Sequence, residues 1–125
     1  FGIEMGKIGC LEFGNLIAAP YCGMLLADLG ARVVKVEPPT GDLSRDFAPH
    51  QNGESAFFMA VNRGKESLAL DTRDWLSKRV LDNLVRKADA LVHNFRPAMP
   101  LFLSKTPYCR ATAPWGQKSA RRLKL

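Results

Sequence analysis

The chain has 125 residues, 46% of them hydrophobic, which suits one domain of modest size, or a piece of one, around an ordinary packed core. No apolar run approaches the roughly 18 to 20 residues needed to span a bilayer, and no basic-then-apolar signal pattern opens the chain, so the expected compartment is the cytoplasm. The net charge of +6 would suit a nucleic-acid binder if it were spread out, but residues 1–100 carry twelve basic and twelve acidic side chains, and the excess lies wholly in residues 101–125.

A neutral body gives no reason to expect a nucleic-acid or membrane partner. Three cysteines, Cys10, Cys22 and Cys109, are odd in number and lack any CxxC or metal-ligand spacing with His50 or His93. They read as reduced thiols, with no metal expected. The start at Phe1 points to a trimmed beginning.

Lys7–Phe13 mixes apolar residues on both faces and reads as a first strand covered on two sides. Pro20 is placed as the first residue of a helix, Tyr21, Met24, Leu25 and Leu29 follow at helical spacing, and Gly30 reads as a left-handed terminator. Val33–Glu37 is β-branched and alternating, and Pro38-Pro39 stops it. Strand, helix and strand in so short a span is the unit that builds parallel sheets.

Thr40–Gly53 reads as a long loop with breaks at Gly41-Asp42 and Asn52-Gly53. Ala56–Val61 is a short apolar piece suited to one buried helical turn. Asn62–Lys65 is a turn and Ser67–Leu70 a third strand. Asp71 or Thr72 is the expected cap of the next helix, with Asp74 adding favourable charge in its first turn. Leu76, Val80, Leu81, Leu84, Val85 and Ala88 form its apolar stripe, while Lys78, Arg79, Asp82, Arg86 and Lys87 face away. Ala90–His93 is a fourth short strand before Asn94-Phe95-Arg96-Pro97.

Beyond Met99 the pattern changes. Prolines fall at 97, 100, 107 and 114, no amphipathic period appears, and Lys105, Arg110, Lys118, Arg121, Arg122 and Lys124 have no acidic counterpart. Residues 100–125 therefore read as a basic tail of altered or truncated character, distinct from residues 1–99.

The turn Gly14–Ala19, between a strand and a helix N-terminus, is where α/β proteins place anions, because the first N–H groups of a helix are unpaired. It lacks both GxGxxG and GxxxxGK[ST], so neither nucleotide fingerprint is met. Glu37 could mimic the ribose-binding acid of a dinucleotide site, but without those glycines a solvated strand-end charge is the expected reading.

The run Asn15-Leu-Ile-Ala-Ala-Pro-Tyr-Cys-Gly-Met-Leu-Leu-Ala-Asp-Leu-Gly-Ala-Arg-Val-Val-Lys-Val-Glu-Pro-Pro39 resembles the N-terminal signature of the class III CoA transferases, the carnitine and formyl-CoA transferase family. Three further blocks match in order and spacing. They are Gly41-Asp42 with Arg45, Asn62-Arg63 through Lys65-Ser67-Leu70-Asp71, and Ala88-Asp89 through His93-Asn94-Phe95-Arg96-Pro97. The resemblance covers roughly residues 7–99.

It implies an α/β fold with a Rossmann-like parallel sheet and flanking helices, incomplete in this chain, and a coenzyme A site at the C-terminal edge of the strands. Ile17 and Ala18 match backbone contacts to the cofactor. Leu70, Asp71, Thr72 and Arg73 match the stretch that holds the adenine and its phosphates, and Asn94, Phe95 and Arg96 match the loop beside pantetheine and diphosphate. An arginine fork suits phosphate, an amide offers hydrogen bonds, and a small Ala18 permits close backbone approach. Read without the resemblance, Arg73 is an ordinary first-turn charge, Phe95 a core residue and Asn94 turn chemistry.

The family mechanism, as the resemblance implies it, uses an aspartate that attacks an acyl-CoA, forms a mixed anhydride and then an aspartyl-CoA thioester, and passes CoA to an acceptor carboxylate. No position after Pro97 matches that aspartate; Asp89 is the last acid of the chain. The chain thus reads as the CoA-binding portion of an enzyme that is homodimeric when full length, inactive alone. Such a piece is expected to leave apolar surface uncovered and a sheet edge unpaired. Two alternatives are a fragment of an α-methylacyl-CoA racemase-like enzyme and a non-enzymatic binding protein with a basic tail.

Overall fold

The computed structural model describes residues 8–95 and 109–110. In chain order these form β1 (Ile8–Phe13), α1 (Ala18–Asp28), β2 (Val33–Glu37), a 3-10 turn (Leu43–Asp46), β3 (His50–Gln51), β4 (Glu54–Ser55), α2 (Ala56–Asn62), β5 (Glu66–Ala69), α3 (Trp75–Lys87), β6 (Ala88–His93) and β7 (Cys109–Arg110). The main sheet has the order β5-β2-β1-β6-β7, and every neighbouring pair is parallel. β3 and β4 form a separate antiparallel hairpin.

Alternation along the strands explains the layers, because successive side chains leave a strand on opposite faces. Leu11, Phe13, Val34, Val36 and Leu91 point to one side and pack under Leu81, Leu84 and Val85 of α3. Cys10, Val33 and Val92 point to the other, where Ala19, Cys22, Leu26 and Ala27 of α1 cover them. Helices thus lie on both faces of a parallel sheet, the α/β arrangement that the sequence implies.

Several boundaries differ from expectation. α1 begins at Ala18, so Pro20 is its third residue; it still lies in the first turn, where an N–H has no partner to lose. The end is as read: Gly30 has φ +93° and its N–H bonds to Ala27 O. Of the proposed apolar stripe only Met24 is buried, whereas Tyr21, Leu25 and Leu29 are exposed, because α1 meets the sheet through the small residues Ala19 and Gly23. The 40–53 loop contains the 3-10 turn and runs into the hairpin, and Asn52 and Gly53 both take positive φ, as a tight hairpin turn requires.

α2 is longer than one turn, and its buried residue is Asn62, with the phenylalanines only partly covered. α3 is capped by Asp74, whose carboxylate accepts the Ser77 N–H at 3.0 Å. Neither Asp71 nor Thr72 performs that role. Asp71 instead accepts the Arg73 N–H at 3.0 Å, closing a turn one step earlier. α3 buries Leu81, Leu84 and Val85 but leaves Leu76 and Val80 exposed. β7 lies within residues 100–125 and pairs Val92 with Cys109 and His93 with Arg110. No helix among the described residues is long and apolar enough to cross a membrane.

Candidate functional site

From β1 the chain moves outward through β2 to β5 and then returns to β6 on the other side of β1. The chain thus changes direction across the sheet between β1 and β6, and such a switch point is where open α/β sheets form a crevice at the C-terminal ends of the strands. A cleft of about 610 Å³ opens at this edge. Its walls are Phe13, Gly14 and Asn15 at the end of β1, Val36–Thr40 at the end of β2, Leu70–Arg73 after β5, and Phe95 after β6.

The structure brings five of the sequence-derived site residues to this cleft: Leu70, Asp71, Thr72, Arg73 and Phe95. Phe95 has two roles, since its ring also lies 6.3 Å from that of Phe13 and stacks on His93 at 5.6 Å. Ile17 and Ala18 stand beside the cleft at the start of α1. Ile17 is the exposed N-cap residue, and no side chain caps the first turn, so the leading N–H groups of the helix remain open. Asn94 is also outside the wall. Its amide braces the loops: Asn15 N–H donates to Oδ1 at 3.2 Å, and Nδ2 donates to Asn15 O at 2.9 Å. Arg96 lies outside the described residues.

Asp71 and Arg73 form a fork, Nε to Oδ1 and Nη2 to Oδ2, both at 2.9 Å. The guanidinium holds the Asp71 carboxyl down at about 2, and the carboxylate raises the arginine in turn. The Arg73 side chain is 89% exposed, so the fork is open to water and to any anion that enters the cleft.

Adjoining the cleft at Gly14, on the α1 face of the sheet, is a buried ionic network that sequence reasoning missed. Glu12 and Lys35 are register partners on adjacent strands and both point toward α1. Lys35 Nζ reaches Glu12 Oε1 at 3.0 Å, Gly14 O at 2.7 Å and Asp42 Oδ2 at 2.9 Å. Lys65 Nζ donates to Glu12 Oε2 at 2.7 Å, Pro20 O at 2.7 Å and Asn62 Oδ1 at 2.8 Å. Burial pushes the Lys65 ammonium below its usual range, against the opposing pull of Glu12.

Next to it, Glu37 accepts two bonds from Arg45, one from Ser67 Oγ at 2.6 Å and one from the Asp42 N–H at 2.9 Å. Burial alone would raise its pKa, but these four donors hold it at about 2. The expectation of a solvated strand-end charge at Glu37 is corrected: the side chain is 4% exposed, and its oxygens are already saturated, which leaves no acceptor for a ribose. Two signals pointed to the network. Charged residues interrupt the apolar alternation of β1 and β2 at 12, 35 and 37, and the matched blocks Gly41-Asp42…Arg45 and Asn62…Lys65-Ser67 supply their partners. The pairing itself spans up to 53 positions and is invisible to local periodicity.

Comparison with known proteins agrees with this geometry. The profile of CoA-transferase family III matches residues 7–108. The chain belongs to CoA-transferase family III. An acetyl-CoA:oxalate CoA-transferase of Acetobacter aceti is 40% identical over 90 residues, and a succinyl-CoA:mesaconate CoA-transferase of Haloarcula hispanica is 44% identical over 91. These matches cover 71% and 69% of the chain but only 23% of either relative. Among solved structures, a CAIB/BAIF family protein from Brucella suis superposes with a TM-score of 0.72 at 32% identity, covering 81% of this chain and 31% of that one. The chain therefore corresponds to less than a quarter of the length of these curated CoA-transferases, and the matched part contains the cleft and the ionic network that adjoins it.

Proposed function

We propose that the chain is the N-terminal coenzyme A-binding portion of a family III CoA-transferase that moves CoA between an acyl-CoA and a carboxylic acid. The observation that carries this reading is the cleft at the C-terminal edge of the sheet, where Leu70–Arg73 and Phe95 form walls beside the uncapped start of α1. An anionic, partly apolar ligand suits such a place. Leu70 and Phe95 offer apolar area to an adenine or pantetheine, Arg73 offers a phosphate its positive charge and the N–H groups that Asp71 does not engage, and the N–H groups of Ile17 and Ala18 at the α1 N-terminus offer main-chain donors. Asn94 acts on the same ligand by fixing Asn15, and Arg96, two positions on in the sequence, is assigned to it through the family resemblance.

In this reading the aspartate that attacks the acyl-CoA and carries the aspartyl intermediate is not among residues 1–125, and a homodimer of longer chains in the cytoplasm completes the enzyme. No residue of this cleft is suited to replace it, because Glu37 is saturated and Asp71 is held by Arg73. Calorimetry with CoA on the chain, shown folded by circular dichroism, is the test. Saturable uptake is expected, together with no covalent adduct by mass spectrometry after incubation with an acyl-CoA. A folded chain that takes up no CoA overturns the reading, and an aspartyl adduct overturns the placement of the nucleophile.

A further inference from the structure

The turn that joins β1 to α1 has little to hold it in its own composition. Leu16 and Ile17 are exposed, and Leu16 takes φ +66°, a left-handed conformation that L-residues with a side chain disfavour and that persists only where the surroundings impose it. The Asn94 amide holds Asn15 from the side, and the rest of what imposes it lies at the two ends. Lys35 Nζ donates to the Gly14 carbonyl and Lys65 Nζ to the Pro20 carbonyl, each at 2.7 Å, and Glu12 gives one carboxylate oxygen to each ammonium.

We propose that Lys35 and Lys65, bridged by Glu12, are positioning residues that clamp the β1–α1 turn in the shape that accepts coenzyme A. This rests on the reading of the chain as a CoA-binding portion. Three arguments favour a positioning role over simple core stability. A buried ion pair rarely stabilises more than apolar side chains of the same volume, so stability alone does not call for two lysines here. An apolar side chain cannot hold a carbonyl, and these lysines each hold one at either end of a single turn. The network is also electrically balanced, Glu12 and Asp42 against Lys35 and Lys65, so it adds little field at the ligand and acts through geometry.

The test substitutes Lys65→Met alone and Glu12→Gln with Lys65→Met together. The pair removes the Pro20 clamp without leaving a surplus buried charge, and so remains informative if the single variant fails to fold. Leu81→Ala, in the core under α3 on the opposite face, is a control that lowers stability without touching the turn. Two quantities are read on folded protein: the CoA dissociation constant, and the amide spectrum of residues 14–20 by NMR, including the backbone coupling of Leu16. The expected result is CoA binding weakened about tenfold or more in the clamp variants, as for loss of well-placed hydrogen bonds, with shifted or broadened amides at 15–19 and no such change in Leu81→Ala.

Unchanged affinity in the folded double variant overturns the proposal, as does an unchanged Leu16 coupling. If the wild-type chain binds no CoA, the functional half falls together with the reading beneath it, while the NMR comparison still decides whether the lysines hold the turn.

Discussion

Glu37 and Arg45, eight positions apart, meet through two parallel hydrogen bonds, Nε to Oε2 at 2.9 Å and Nη2 to Oε1 at 2.7 Å. The fork ties the end of β2 to the 3-10 turn, and Ser67 adds β5 to the same carboxylate. Because Glu37 also lines the cleft, one side chain joins the shape of the site to the stability of the sheet edge.

Glu37→Gln should therefore destabilise the chain by about 2 to 3 kcal/mol, the cost of unpairing a mostly buried charge whose partner retains some solvent. Urea unfolding measures it. Adding Arg45→Met should recover part of the loss, and a double variant as unstable as the two losses summed would show that the pair is not coupled.

Acid should reveal the same pair. The folded Glu37 carboxyl titrates at about 2, below its ordinary 4.5, so its stabilising contribution is full above the higher value and fades as pH falls toward the lower one. Urea midpoints of wild type and Glu37→Gln should differ by a constant amount near neutrality and converge through that acid window. A gap that persists unchanged down to about pH 2 would refute the assignment.

Gly14→Ala should damage both fold and site. A Cβ at Gly14 would overlap the Ala19 methyl and lie 3.1 Å from Asn94 Oδ1 and from Pro20 Cδ, so the turn must move away from α1 and from its Asn94 brace. We expect a stability loss of about 1 to 3 kcal/mol, as for other overpacked sites, with weakened CoA binding by calorimetry. Wild-type affinity in this variant would show that the turn does not contact the ligand.

Arg73→Ala should separate binding from stability. The Asp71–Arg73 fork is solvent-exposed, so melting temperature should barely change, whereas CoA affinity should fall about tenfold and lose part of its salt dependence. An unchanged affinity across a salt series would remove Arg73 from the site.

Thermal or urea unfolding also distinguishes the helix caps. Asp74→Ala should cost about 1 kcal/mol through the lost bond to the Ser77 N–H, while Thr72→Ala should be nearly neutral.

What the sequence determined by itself were the features that depend on neighbours a few positions apart. Val33–Glu37 alternates and is stopped by Pro38-Pro39, Gly30 can turn left-handed, and the 3.6-residue period of α3 is written in its own side chains; each of these elements stands close to where it was expected. The cofactor residues Leu70–Arg73 and Phe95 were legible only through resemblance, since nothing local distinguishes Arg73 from an ordinary first-turn charge. Which of the nearby Asp71, Thr72 and Asp74 caps α3 was a local choice that composition left open, and the backbone settled it by bringing the Asp74 carboxylate to the Ser77 N–H and turning Asp71 to Arg73. Tertiary structure alone decided that Glu12, Lys35, Asp42 and Lys65 form one network. Their attraction is worth little in water and becomes decisive only when strand pairing and the cover of α1 exclude solvent, a condition no short stretch of sequence contains.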